Sequence, residues 1–224
     1  MTSPLPLPRV VPVVVLDDFE QAHDLGHALV AGGLACAEVT FRTTAAAAAI
    51  RILAQRDDML VGAGTVLGPD QVDAAVDAGA RFVVSPGLDA SVVNRCRERD
   101  VAVLPGVVTA SELQSALTMG LTTLKFFPAE AMGGLTTVAA LAAPFPEVRF
   151  VPTGGISRDN ATAYLRHPSV AAVGGSWMVA PAIVRAGDFD EVTRRTRDAV
   201  ALTNAGAFED LGASTCDRSD DGPS

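Results

Sequence analysis

Residues 10–40 read VVPVVVLDDFEQAHDLGHALVAGGLACAEVT. A valine-rich run, Val10–Val15, passes through Leu16-Asp17-Asp18 into an amphipathic stretch, Phe19–Ala31. A glycine pair follows, then a second apolar run, Cys36–Thr40. This is the pattern of a strand, a helix and a parallel strand. An open doubly wound sheet usually announces itself with a glycine fingerprint directly after its first strand. Two aspartates stand there instead, so a closed barrel is the expected arrangement.

The unit recurs along the chain. Further strands are expected at Leu60–Gly62, Phe82–Ser85, Ala102–Pro105, Thr123–Phe127, Arg149–Pro152 and Ala171–Gly174. The helices between them are expected at Thr44–Gln55, Pro69–Ala78, Asp89–Arg99, Thr109–Met119, Leu135–Ala142 and Asp159–Leu165, with a last one inside Asp188–Asn204. Eight such units predict an α/β fold, a compact (β/α)8 TIM barrel in one domain over residues 10–204. A Pro-rich lead-in (1–9) precedes it and an acidic tail (205–224) follows. At 224 residues the chain is short for a fold that typically takes about 250, so the helices must be short and the loops tight. Thr109-Ala-Ser-Glu112 has capping-box form, and Pro69 suits a first helical turn. Gly32, Gly79 and Gly120 fall just past three helices, where left-handed residues are expected.

Composition narrows the function. Hydrophobic residues make up 49% and charged residues 19%, enough apolar surface for a large core and too much for a disordered chain. A net charge of -9 argues against nucleic acid and anionic membranes, which are bound by clustered Lys and Arg. Glu209–Ser224 holds five acids against one base, Arg218, and is expected to be disordered. No run reaches the roughly 18 apolar residues of a membrane span. No cationic targeting segment is visible, so a cytoplasmic protein is expected. Three cysteines are too few and too scattered for a disulfide framework or a zinc site.

Of the 17 Lys and Arg side chains, one is lysine: Lys125. It sits in the apolar strand Leu124-Lys125-Phe126-Phe127, where an unpaired cation is costly. Lysine can supply a neutral amine and arginine cannot, and amines attack carbonyl substrates to form Schiff bases. The bland alternative is a strand-end lysine that snorkels to water or pairs with an acid. Side-chain alternation puts Thr123, Lys125 and Phe127 on one face of strand six. On strand two, Cys36, Glu38 and Thr40 share a face, with Arg42 just past the end. If both faces point inward, Glu38 and Lys125 enter the barrel together, a pairing suited to proton transfer. A structural ion pair of Glu38 with Lys125 or Arg42 is the competing reading.

Three glycine-bearing segments follow strands: Gly62-Ala-Gly64-Thr65-Val66, Thr153-Gly154-Gly155-Ile-Ser157 and Gly174-Gly175-Ser176-Trp177. The last two follow strands seven and eight, where barrels build phosphate sites from backbone N–H groups. An acidic protein could thus hold an anionic substrate without a basic patch. His23 and His27 lie four apart on a helix, but no third ligand is near, and a solvated face is expected. Cys36 is expected to be a small core residue.

Together with Glu38-Val-Thr-Phe-Arg42-Thr, Ser85-Pro86-Gly87, Leu104-Pro-Gly106 and Lys125-Phe-Phe-Pro-Ala-Glu130, these motifs closely resemble, in order, the bacterial 2-keto-3-deoxy-6-phosphogluconate (KDPG) aldolases. Those enzymes also act on 4-hydroxy-2-oxoglutarate (KHG). The resemblance runs from about Val10 to Asn204. It implies a class I aldolase, a homotrimer, with no metal and no cofactor beyond an imine on Lys125. It assigns acid–base work to Glu38, pyruvate-carboxylate contacts to Arg42 and Thr65, and pocket positions to Pro86, Phe127 and Thr153, the last linked to stereochemical control. Phosphate contacts fall on Gly154, Gly155, Gly174, Gly175 and Ser176. The implied partners are pyruvate and a phosphorylated sugar acid. Phe41 and Met132 stand where the family has Leu and Asn, and the short lead-in implies loss of the family's leading helix. The alternatives are an aldolase for another 2-keto-3-deoxy acid, such as the phosphogalactonate, and a phosphosugar isomerase or epimerase, which would leave Lys125 unexplained.

Overall fold

Parallel strands joined by helices must bury both faces of the sheet, and the described residues do so by closing it. A computed structural model describes residues 6–205. The start of the lead-in and the acidic tail, with Cys216, lie outside them. The strand segments are β1 (Val10–Val14), β2 (Cys36–Thr40), β3 (Leu60–Gly64), β4 (Phe82–Val84), β5 (Ala102–Leu104), β6 (Gly106–Val107), β7 (Thr123–Phe126), β8 (Arg149–Pro152) and β9 (Val173–Gly175). The helices are α1 (Ala22–Ala31), α2 (Ala46–Leu53), α3 (Pro69–Asp77), α4 (Ala90–Glu98), α5 (Ala110–Thr118), α6 (Gly134–Ala142), α7 (Arg158–Leu165), α8 (Pro181–Arg185) and α9 (Phe189–Ala205).

One ladder runs β5–β4–β3–β2–β1–β9 and the other β6–β7–β8, all parallel. Two joints complete the circuit. β5 and β6 are one strand interrupted at Pro105, which has no N–H for the ladder. The Pro105 carbonyl still accepts from Lys125 N–H at 2.9 Å. On the other side, bridges Phe150↔Val170 and Thr153↔Gly174 link β8 to the β9 region. The eight-stranded barrel is therefore as expected, with its fifth strand in two pieces.

Alternation sorts the strands into two cores. Val11, Cys36, Phe82, Val84, Leu104, Val151 and Ala172 fill the barrel interior. Val10, Val39, Val61, Val83, Leu124 and Phe150 face outward into a larger cluster with helix residues such as Leu25, Leu29, Ile50 and Leu113. The Phe82 ring plugs the interior because Gly62 leaves it room: a Cβ there would fall 2.3 Å from the ring.

The capping box at Thr109 and Pro69 in the first turn of α3 are as expected. Other local features differ. The first helix opens with a 3-10 turn, Phe19–Gln21, capped by Asp18, whose side chain accepts from Glu20 N–H at 2.9 Å. Gly32 is right-handed, with φ -80°, and Gly33 takes the left-handed turn at φ 93°. Gly32 answers to packing: a Cβ there would lie 2.5 Å from Thr196 Cβ on α9. The short α8 was not anticipated. Among the described residues no helix precedes β1. Arg9 ties the lead-in to the barrel floor instead, donating to the carbonyls of Val170 (2.9 Å), Ala171 (3.0 Å) and Leu165. No described helix is long and apolar enough to cross a membrane.

Candidate active site

Glu38 is the middle residue of β2, opposite Val13 on β1 and Gly62 on β3. Lys125 lies on β7 between Gly106 and Val151. Strand alternation turns both inward, and the closed sheet brings them together across the barrel. Lys125 Nζ donates to Glu38 Oε1 at 3.3 Å, and the two residues are only 5% and 3% exposed. A fully buried ion pair is a poor source of stability, since desolvation offsets its attraction. That makes such a pair a functional candidate when it lies inside a barrel.

The neighbours hold the pair in place. Gly64 leaves open the volume that the Glu38 side chain fills; a Cβ there would meet Oε1 at 2.3 Å and Cγ at 2.7 Å. Lys125 Nζ stands 5.1 Å from the centroid of the Phe127 ring, within cation–π range. Thr40, on the same face as Glu38, is buried and donates from Oγ1 to the Val14 carbonyl at 3.0 Å. Cys36, on the same face one pair below, is buried as expected. Burial, then the charge of Glu38, push its thiol up to about 12.

The remaining candidates ring the C-terminal ends of the strands. Thr65 follows β3 with φ 56°, a left-handed conformation that a β-branched residue adopts only under constraint. Arg42 is exposed just past β2, and it forms no ion pair with the described residues. Pro86 is half-buried after β4; its carbonyl lies against Gly106, where a Cβ would fall 2.0 Å away. Thr153 is buried, and its Oγ1 lies 2.3 Å from where a Gly174 Cβ would be. Gly154 and Gly155 are both left-handed, φ 95° and 81°, and Phe127 packs on Gly154. Gly174 and Gly175 are buried and Ser176 is exposed. The bridge Thr153↔Gly174 sets the two glycine segments side by side.

Lys125, Glu38 and Phe127 thus form one contact group, with Thr153, Gly154, Gly155, Gly174, Gly175 and Ser176 at one rim. Arg42, Thr65 and Pro86 stand past the ends of β2, β3 and β4, without a hydrogen bond to the central pair. Reading the sequence missed the dependence of Glu38 on Gly64; the spacing of Gly62 and Gly64 on one strand face was the available signal. Among the described residues, no group of three or more His, Cys, Asp or Glu side chains could hold a metal. His23 and His27 are exposed and contact each other at 3.3 Å on α1.

The model of the KDPG and KHG aldolase family matches residues 2–195. The chain is 48% identical, over 195 residues, to the 2-dehydro-3-deoxy-phosphogluconate aldolase of Treponema pallidum, covering 87% of this chain and 93% of that one. It is 46% identical, over 192 residues, to the KHG/KDPG aldolase of Escherichia coli K12, covering 85% and 90%. It also matches the crystal structure of a Legionella pneumophila KDPG aldolase with pyruvate captured at low pH as a covalent carbinolamine intermediate. There the TM-score is 0.83 at 41% identity, covering 86% of this chain and 93% of that one. With match and relatives spanning most of its length, the chain belongs to the KDPG and KHG aldolase family.

Proposed function

We propose that the chain is a class I aldolase that cleaves KDPG to pyruvate and glyceraldehyde 3-phosphate, and KHG to pyruvate and glyoxylate. The observation that carries this reading is the buried 3.3 Å contact between Lys125 Nζ and Glu38 Oε1. The amine adds to the C2 ketone and loses water to give a protonated imine. The Glu38 carboxylate, through a water, takes the C4 hydroxyl proton. The C3–C4 bond then breaks, its electron pair moves into the enamine, and the aldehyde leaves. Glu38 returns a proton to C3, and hydrolysis of the imine frees pyruvate and restores the amine. The iminium is the electron sink, so the scheme needs no metal or other cofactor. The carbinolamine found in the Legionella relative supports this chemistry.

The remaining roles follow the family resemblance. Arg42 and Thr65 hold the pyruvate carboxylate, and Pro86, Phe127 and Thr153 shape the pocket. Gly154, Gly155, Gly174, Gly175 and Ser176 receive the phosphate through backbone N–H groups and one hydroxyl. A homotrimer acting in the cytoplasm completes the reading; a phosphorylated substrate carries charge that membranes oppose.

Pyruvate release from KDPG by the purified chain tests the assignment. Comparing it with KHG and with the phosphogalactonate tests the aldehyde partner. Failure to release pyruvate from any of the three would sink the proposal.

A further inference from the structure

The loop after β7 carries Phe127 and Pro128, and the loop after β8 carries Thr153, Gly154 and Gly155. Their backbones are laced together: Ala129 N–H donates to the Thr153 carbonyl at 2.8 Å, and Glu130 N–H to that of Gly154 at 3.0 Å. The stem of Glu130 then lies against the glycine turn, where a Gly155 Cβ would meet its Cβ and Cγ at 2.6 Å. Beyond the stem, the Glu130 carboxylate accepts a hydrogen bond from the hydroxyl of Tyr164 on α7. Tyr164 is the only tyrosine in the chain and is 2% exposed. Gly134 makes room for the bond, since a Cβ there would fall 3.0 Å from Tyr164 Oη and 3.1 Å from Glu130 Oε1. One turn earlier on α7, Asn160 Nδ2 donates to the Gly155 carbonyl at 3.0 Å.

The Gly154–Gly155 turn is therefore gripped from the β7 loop on one side and from α7 on the other. A single side-chain bond, Tyr164 to Glu130, ties the two grips together. It is a hydroxyl-to-carboxylate bond, the stronger charge-assisted kind. Burial and then Glu130 push the Tyr164 hydroxyl above its ordinary range, so it remains a donor at working pH. Neither residue hydrogen-bonds Lys125 or Glu38.

We propose that the Tyr164–Glu130 hydrogen bond is a positioning brace that holds the Gly154–Gly155 turn ready for a phosphate, and thereby sets the preference for phosphorylated over unphosphorylated substrates. The inference rests on the reading that this turn takes the phosphate.

Tyr164→Phe keeps the ring and removes the hydroxyl. With KDPG as substrate, KM should rise roughly tenfold, the scale of losing a bond to a charged group, with kcat almost unchanged. With KHG, which has no phosphate, both constants should stay at wild-type values, as should the borohydride-trapped pyruvate adduct. Glu130→Gln keeps an acceptor oxygen but loses the charge, so its KM for KDPG should fall between those of the wild type and of Glu130→Ala. Glu130→Ala also removes the stem that lies against Gly155, so its loss on KDPG should equal or exceed that of Tyr164→Phe, and the double variant should be no worse than Glu130→Ala alone. Equal losses on KDPG and KHG, or an unchanged KM for KDPG in both Tyr164→Phe and Glu130→Ala, would overturn the brace. Should Tyr164→Phe fail to fold, the contrast between Glu130→Gln and Glu130→Ala decides. A wild-type chain that forms no pyruvate adduct overturns the aldolase reading instead, which separates the two failures.

Discussion

The Glu38 side chain occupies the space that any side chain on Gly64 would need: a Cβ there would sit 2.3 Å from Oε1. The two residues lie on neighbouring strands, and Glu38 leans across from its own partner, Gly62, towards the mouth of the barrel. There it meets Lys125. The carboxylate is thus aimed by the absence of an atom on the next strand as much as by its own rotamer.

Gly64→Ala should displace that carboxylate without unfolding the barrel, since overpacking by one methyl typically costs about 1–3 kcal/mol. Turnover should fall by roughly 10²-fold, the usual scale for a lost general acid–base, while pyruvate still forms its adduct on Lys125. Steady-state cleavage and intact-mass analysis of the borohydride-reduced protein check both halves. Near-normal turnover would show that the position of Glu38 does not matter to the proton step.

Thr65 stands in a left-handed conformation at φ 56°, which burdens a non-glycine residue by about 1–2 kcal/mol. Thr65→Gly relieves this and returns roughly 0.5–1 kcal/mol of freedom to the unfolded chain. The melting temperature should stay level or rise slightly, while KM for KDPG and KHG rises together as a carboxylate contact is lost. A clear drop in melting temperature would show that the Thr65 side chain supports the fold and that its conformation stores no strain.

What could be read from the sequence was what local geometry dictates. The inward parity of Glu38 and Lys125 follows from the two-residue repeat of a strand, and the count of units follows from alternating patterns. What could not be read depends on contacts between distant segments. That the Pro105 carbonyl still accepts from Lys125 N–H across the break depends on a distant strand. Gly32 is small for the sake of Thr196, and Gly33 then makes the turn. Tyr164 and Glu130 lie 34 residues apart with nothing in the spacing to join them. The strain at Thr65 has no sequence signature, because threonine ordinarily avoids that conformation.

Cys36 and Cys96 are both buried, and their thiols are pushed up to about 12, mainly by burial. In a Cys216→Ser chain, a thiol-specific reagent at pH 8 should therefore label neither until the protein opens, and both after denaturation. An unfolded chain releases these protons near an ordinary value of 9.0, and the folded one holds them to about 12. Their contribution to stability is complete below pH 9 and declines as pH rises from there to 12. Rapid labelling of the native protein would contradict this.

Activity should survive exhaustive chelation, because the iminium takes up the electron pair that a class II enzyme would pass to a metal-bound enolate. Cleavage of KDPG before and after dialysis against a strong chelator measures this. Loss of most activity, restored by a divalent ion, would remove the Schiff-base reading.

Reductive trapping is the sharpest check, because Lys125 is the only lysine among the 224 residues. Pyruvate and borohydride together should convert the imine to a stable secondary amine and inactivate the protein irreversibly. In most proteins the labelled lysine must be found among many. Here the intact mass should rise by one reduced pyruvate adduct per chain, carried on the peptide that contains Lys125. Lys125→Arg should abolish adduct and turnover alike, since a guanidinium stays protonated and cannot attack a ketone. A wild-type chain that turns over substrate without gaining the adduct, or a Lys125→Arg chain that keeps its activity, would place the reaction on another group.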